Sequence, residues 1–184
     1  MSTNLNEVYT ILSIDIGKKN LGYSVYNGNE LNFGIFNITY HIKKFKLNEN
    51  IEGRNTVLIH WLNNIAHKYN INKIVVEKQV INNVVAMCIQ SCIISFALMN
   101  SIEIFTFDPK NKFTFSGDKY ESSKKEHKKL AIKYTMNLLT SLHPDKLELF
   151  NQYDKQDDIS DSILMNFIIH PKTDLNYLKT VILK

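Results

Sequence analysis

Residues 11–26 read ILSIDIGKKNLGYSVY, and the way this stretch divides decides the fold. Tyr9 to Ile16 (YTILSIDI) is an apolar run too short for a helix, closed by the carboxylate Asp15 and then by Gly17. It is expected to be a buried strand. Leu21 to Tyr26 (LGYSVY) is a second strand. Asn27-Gly28-Asn29 marks a hairpin because these residue types tolerate positive φ. Leu31 to Tyr40 (LNFGIFNITY) then returns as a third, antiparallel strand.

Further along the chain, His41 to Asn50 is polar and reads as a connecting loop. Arg54 to Tyr69 sets Val57, Leu58, Trp61, Leu62, Ile65 and Tyr69 at helical spacing. Asn72 to Glu77 (NKIVVE) is a fourth strand, again ending in a carboxylate. Ile81 to Met99 reads as a second helix, and Ile102 to Phe107 as a fifth strand stopped by Asp108-Pro109. Lys110 to Glu121 lacks periodicity and reads as a flexible loop. Helices follow from about Ser123 to Leu142 and from Asp157 to Ile169. Pro171 to Lys184 forms a tail that the pattern does not place.

Three antiparallel strands followed by helix–strand crossovers predict an α/β fold, a mixed five-stranded sheet with helices on both faces. In such a sheet the first and fourth strands are parallel neighbours, and Asp15 and Glu77 reach the same edge. No repeat or long linker divides the 184 residues, so one domain is expected over residues 1–184, its core at about 9–170.

Composition excludes several classes. Apolar residues make up 44% and charged residues 22% of the chain, which argues against disorder. The most apolar run, Val80 to Met99, is interrupted by Asn82, Asn83, Gln90, Ser91 and Ser95, so it reads as a buried helix and not a membrane span. The first seven residues lack the basic and apolar regions of a secretory signal. Cys88 and Cys92, spaced i, i+4 with no second ligand pair, read as core thiols in a reducing, intracellular setting.

The net charge is +4, and Arg54 is the lone arginine. Lysines concentrate at 110, 112, 119, 124, 125, 128, 129 and 133, opposed there only by Asp118, Glu121 and Glu126. Two readings fit, a solvated helix face and a phosphate-binding surface. Under the second, Lys110, Lys112, Lys119, Lys124, Lys125 and Lys129 are candidate DNA contacts, and Phe113, Phe115 and Tyr120 are candidate stacking residues or core residues.

The carboxylates carry more information. Asp15 lies inside a buried run, where a charge is costly unless it is paired or bound to a cation. Alone it would read as a strand-end cap, and Glu77 alone as half of a lysine salt bridge. Asp157-Asp158-Ile159-Ser160-Asp161 opens the last helix, where acidic residues also complement the helix dipole. Asp158 and Asp161, at i, i+3, share a face, whereas Asp157 is rotated by about 100° from Asp158. Carboxylates converging without basic partners repel one another, and a divalent cation relieves that repulsion. All-oxygen donors favour Mg²⁺ or Mn²⁺. Two such ions roughly 4 Å apart suit phosphodiester hydrolysis.

ILSIDIGKKNLGYSVY, IVVEKQ at Ile74 to Gln79 and DDISDSILM at Asp157 to Met165 together resemble the RuvC-type Holliday junction resolvases, and the poxvirus resolvase branch most of all. The resemblance runs from Ile11 to Ile169. It implies a ribonuclease H-like fold with Asp15, Glu77, Asp158 and Asp161 as metal-binding catalytic carboxylates. It further implies an essential lysine ahead of the last helix, for which Lys125, Lys128 and Lys129 compete and family spacing favours Lys128. The implied protein is a homodimeric, Mg²⁺-dependent endonuclease (Mn²⁺ substituting, two ions per site). It would nick four-way DNA junctions in pairs and leave 5′-phosphates, in the host cytoplasm or virion if viral. Two rivals stand beside it: another ribonuclease H-like nuclease acting on hybrids or single strands, and a silent junction-binding protein.

Overall fold

A computed structural model describes residues 9–113 and 123–183. Five strands form its sheet: β1 (Ile11–Ile16), β2 (Asn20–Tyr26), β3 (Leu31–Asn37), β4 (Lys73–Glu77) and β5 (Glu103–Phe107). Their spatial order is β3-β2-β1-β4-β5. The first three pair antiparallel, while β1–β4 and β4–β5 are parallel. The mixed five-stranded sheet expected from the pattern is therefore present.

Burial explains the central position of β1. Ile11, Leu12 and Ile14 are fully buried, and removing each from water contributes about 2 kcal/mol. Helices α1 (Ile38–Lys44), α2 (Ile51–Tyr69) and α3 (Val84–Met99) bury Ile42, Leu58, Leu62, Ile89 and Ile93 in a core on one face of the sheet. On the other face, α4 (Lys124–Leu142), α5 (Leu147–Asn151), α6 (Gln156–Ile169) and α7 (Leu175–Ile182) bury Leu138, Phe150, Ile163, Phe167 and Leu178. Among the described residues no helix is long and apolar enough to cross a membrane.

Several segments differ from the sequence expectation: α2 starts earlier, at Ile51, α3 later, at Val84, and α5 was not foreseen. The third strand stops at Asn37, not Tyr40, because the Asn37 side chain accepts from the Tyr40 amide at 2.7 Å and caps α1. Ile38 and Ile42 are spaced for a helix and turn inward together. The start of the expected loop is a 3₁₀ turn, Pro109–Lys112, capped by Asp108. The tail contains α7, which Asp174 caps, and Leu178, Val181 and Ile182 are buried on it. Asn137 of α4 donates to the Ile182 carbonyl at 2.9 Å and ties this helix down.

One close approach fixes α6. A Cβ at Gly22 would lie 2.2 Å from the Asp158 carbonyl oxygen, so only a hydrogen fits between β2 and the helix. Two turns on, the buried Asn166 amide donates to the Ser24 carbonyl at 2.9 Å and to its Oγ at 2.7 Å. These contacts set both the depth and the rotation of α6, and with them the direction of its first-turn carboxylates.

Candidate active site

The site begins as a consequence of strand register. In the parallel pair Ile14 lies opposite Val76, so the next residue on each strand, Asp15 and Glu77, emerges at the same sheet edge. The chain turns sharply after Asp15. The Gly17 amide donates to the Asn20 carbonyl at 3.0 Å, and a Cβ at Gly17 would meet that oxygen at 2.4 Å. Arg54 donates to the Lys18 carbonyl at 2.7 Å and pairs with Glu49 at 3.0 Å, which braces this turn from α2.

Helix α6 supplies the third carboxylate. Asp15, Glu77 and Asp161 each offer an oxygen within 4.8 Å of the others. The donor set is entirely oxygen, which suits a hard divalent cation such as Mg²⁺ or Mn²⁺. Asp158 lies outside this triad but lines the same cleft, of about 700 Å³, as does Asp157. The expectation that Asp157 points away is not met, because it faces the cleft and pairs with Lys128.

The structure places the expected lysines in three environments. Lys128 stands at the cleft, half-exposed and bonded to Asp157. Lys110, Lys125 and Lys129 are exposed. Lys112 is instead buried in the acidic cluster, its Nζ 2.5 Å from Glu77 Oε1 and 2.8 Å from Asp161 Oδ2. Lys119 and the side chain of Lys124 lie outside the described residues, as do Phe115 and Tyr120. Phe113 is a core residue, packed against His127 and Tyr134. Lys18, Lys78 and Gln79 also line the cleft and were not singled out from sequence. The hint the sequence offered was their place one to three residues after the two strand-end carboxylates.

The electrostatics follow from crowding. Burial, reinforced by the neighbouring Glu77 charge, pushes the Asp15 carboxyl well above its ordinary range. Burial also pushes Glu77 upward, but Lys112 and hydrogen bonds outweigh it and leave Glu77 low. For Asp161 burial prevails over Lys112, and its pKa is raised. Burial opposes the charged form of Lys112, yet the three surrounding carboxylates hold its pKa above the lysine value. Without a metal, crowding thus favours protonation of Asp15, while the Lys112 ammonium is held in its charged form by the carboxylates around it.

The family model of the poxvirus A22 protein matches residues 9–170. The chain belongs to this family of poxvirus resolvases. Comparison with curated proteins finds no match. Among solved structures, the yeast mitochondrial Holliday junction resolvase Ydc2 is similar with a TM-score of 0.63 at 18% identity, covering 86% of this chain and 78% of that one. Thermus thermophilus RuvC gives 0.57 at 12% identity, over 85% of this chain and 92% of that one. RuvC from the same organism in complex with a Holliday junction substrate gives 0.55 at 12%, over 86% and 92%. At such low identity these likenesses establish the ribonuclease H-like fold, and membership of the A22 family carries the resolvase function. In this A22-family chain the acidic triad sits where the switch in strand direction opens the sheet edge.

Proposed function

We infer that this resolvase cuts four-way DNA junctions by paired nicks from two copies of the chain, each nick made at the acidic cleft and leaving a 5′-phosphate. The convergence of the Asp15, Glu77 and Asp161 oxygens within 4.8 Å is the observation that carries this reading. These residues, with Asp158 beside them, would hold Mg²⁺ or Mn²⁺, two ions in the catalytic complex. When bound, such ions activate a water and offset the charge on the departing 3′-oxygen.

The remaining work falls to the chain's own side chains. Lys128 faces the cleft from α4 and is directed at the scissile phosphate, with Asp157 orienting its ammonium. Lys110, Lys125 and Lys129 are exposed and bind neighbouring phosphates, which makes affinity steeply salt-dependent and indifferent to base sequence. Selectivity then rests on junction shape. Cys88 and Cys92 are free thiols, in keeping with work in a reducing compartment, the cytoplasm of an infected cell or the virion.

The deciding experiment mixes purified protein with end-labelled four-way junction, linear duplex and RNA–DNA hybrid, with Mg²⁺ or with EDTA. Symmetric cuts in the junction alone, lost in EDTA, support the reading. Preferential cleavage of the hybrid makes the protein a different ribonuclease H-like nuclease, and junction binding without cleavage makes it a silent binder.

A further inference from the structure

Lys112 is unlike the other described lysines of the basic segment. The short turn that bears it is held by Asp108, whose carboxylate accepts from the Lys110 amide at 3.0 Å. Its side chain is only 5% exposed and ends between Glu77 and Asp161. An ammonium taken out of water is unfavourable unless strong partners replace the hydration. Here the partners are oxygens of two of the three residues that would ligate a divalent ion. Lysine and metal thus draw on the same carboxylates.

Charge counting sharpens the competition. The ionised triad carries three negative charges, and the Lys112 ammonium with a single divalent ion neutralises it. With the Asp158 carboxylate of the same cleft counted beside the triad, a second ion would still leave one excess positive charge, which a DNA phosphate entering the cleft would balance.

We propose that Lys112 is a built-in counter-cation that occupies one cation place in the acidic cluster, so that the DNA-free protein holds a single divalent ion and takes the second only with substrate phosphate. This deepens the metal-dependent nuclease reading and rests on it. Lys112 is a positioning residue, acting through Glu77 and Asp161 and setting the occupancy of the site.

The test counts ions without DNA and without cleavage. Mn²⁺ is titrated into the full-length protein, and free Mn²⁺ is followed by electron paramagnetic resonance. Wild type is expected to bind one ion per chain. Lys112→Met is expected to bind two, the first at least tenfold tighter, and to melt lower than wild type in EDTA but recover in Mn²⁺. Lys112→Arg, which keeps the charge, is expected to retain the wild-type count. Two ions on DNA-free wild type, or no tighter binding in Lys112→Met, overturns the proposal while leaving the nuclease reading intact. Absence of Mn²⁺ binding in both proteins overturns the metal site and this proposal with it. If Lys112→Met does not fold, the wild-type count decides alone.

Discussion

At the scale of single residues, Asp15 and Lys128 contribute to different quantities. Asp15 belongs to the triad, so Asp15→Asn removes a metal oxygen and a negative charge without changing shape. It is expected to abolish nicking while junction affinity is kept or improved, as seen by gel shift beside a cleavage assay. Nicking at the wild-type rate would remove Asp15 from the active site. Lys128 faces the cleft, whereas Lys125 and Lys129 are exposed on the same helix and serve as controls of equal charge. A lysine at the scissile phosphate acts in the transition state, and one at a remote phosphate acts on binding. Lys128→Ala is therefore expected to lower single-turnover cleavage at saturating protein by about 100-fold, roughly what loss of one preorganised charge contact costs. Lys125→Ala and Lys129→Ala should mainly weaken binding and flatten its salt dependence; a rate defect in Lys125→Ala instead would move the role by one turn. Asp15 and Glu77 were legible because each ends an apolar strand, and a charge there needs a reason. Lys112 was not, because nothing in a run of evenly charged lysines tells which one a four-residue turn will carry inward. Asp157 was misread for a related reason: rotation about a helix axis does not reveal that a lysine on another helix stands where it points.

At the scale of elements, the seat of α6 on β2 decides where its carboxylates lie. Gly22→Ala would force a Cβ to 2.2 Å from the Asp158 carbonyl. Overpacking of this kind costs about 1–3 kcal/mol, and here the displaced group is the backbone of the residue next to the site. The variant is expected to lose stability by about that amount in denaturant unfolding and to lose cleavage out of proportion; wild-type values for both would show that α6 is not seated on Gly22. The C-terminal end of α6 carries a pH dependence. His170 is buried, its Nε2 lies 3.1 Å from the Tyr9 carbonyl, and its Nδ1 accepts from the Lys172 amide. Both contacts are met by the neutral ring with its proton on Nε2. Burial lowers the His170 pKa, the Tyr9 carbonyl opposing in part. The unfolded chain, with an ordinary histidine pKa of about 6.5, thus takes up protons first. Stability present above that pH is lost as pH falls through the folded value. The melting temperature is expected to drop between pH 7.5 and 5.5, and His170→Gln to shrink that drop; an equal drop in both proteins would assign it elsewhere. Strand order and the major helices were readable because period and length agreed in each. The short helices α1, α5 and α7 were not, since one or two turns give too few apolar positions to separate a helix from a strand end, a loop or a tail.

At the scale of the whole molecule, paired nicking requires two active sites on one junction, and the chain presents a surface suited to a second copy. Helix α3 carries no charged side chain. It buries Ile89, Ile93, Phe96 and Ala97 on one side, yet leaves Val84, Leu98 and Met99 exposed on the other, continuous with exposed Val80 and Ile81. Between α2 and α3 runs an apolar groove of about 850 Å³, to which Ile51, Ile59, Met87 and Met99 contribute. Exposed apolar surface on this scale is unfavourable in water and typical of association sites. The basic and acidic surfaces that would engage DNA lie on other elements, α4, α6 and the strand ends, so two copies joined through α3 would keep both clefts free. The double variant Val84→Glu, Met99→Glu places two like charges on each face of the expected interface, at positions whose exposure spares the core. Sedimentation is expected to show a wild-type dimer and a monomeric variant of unchanged circular dichroism. The variant should still nick a junction singly but fail to make the two cuts together, so that nicked junction accumulates on the way to linear product. A wild type that is monomeric while it resolves junctions, or a variant that remains dimeric, would place the contact between copies on another surface.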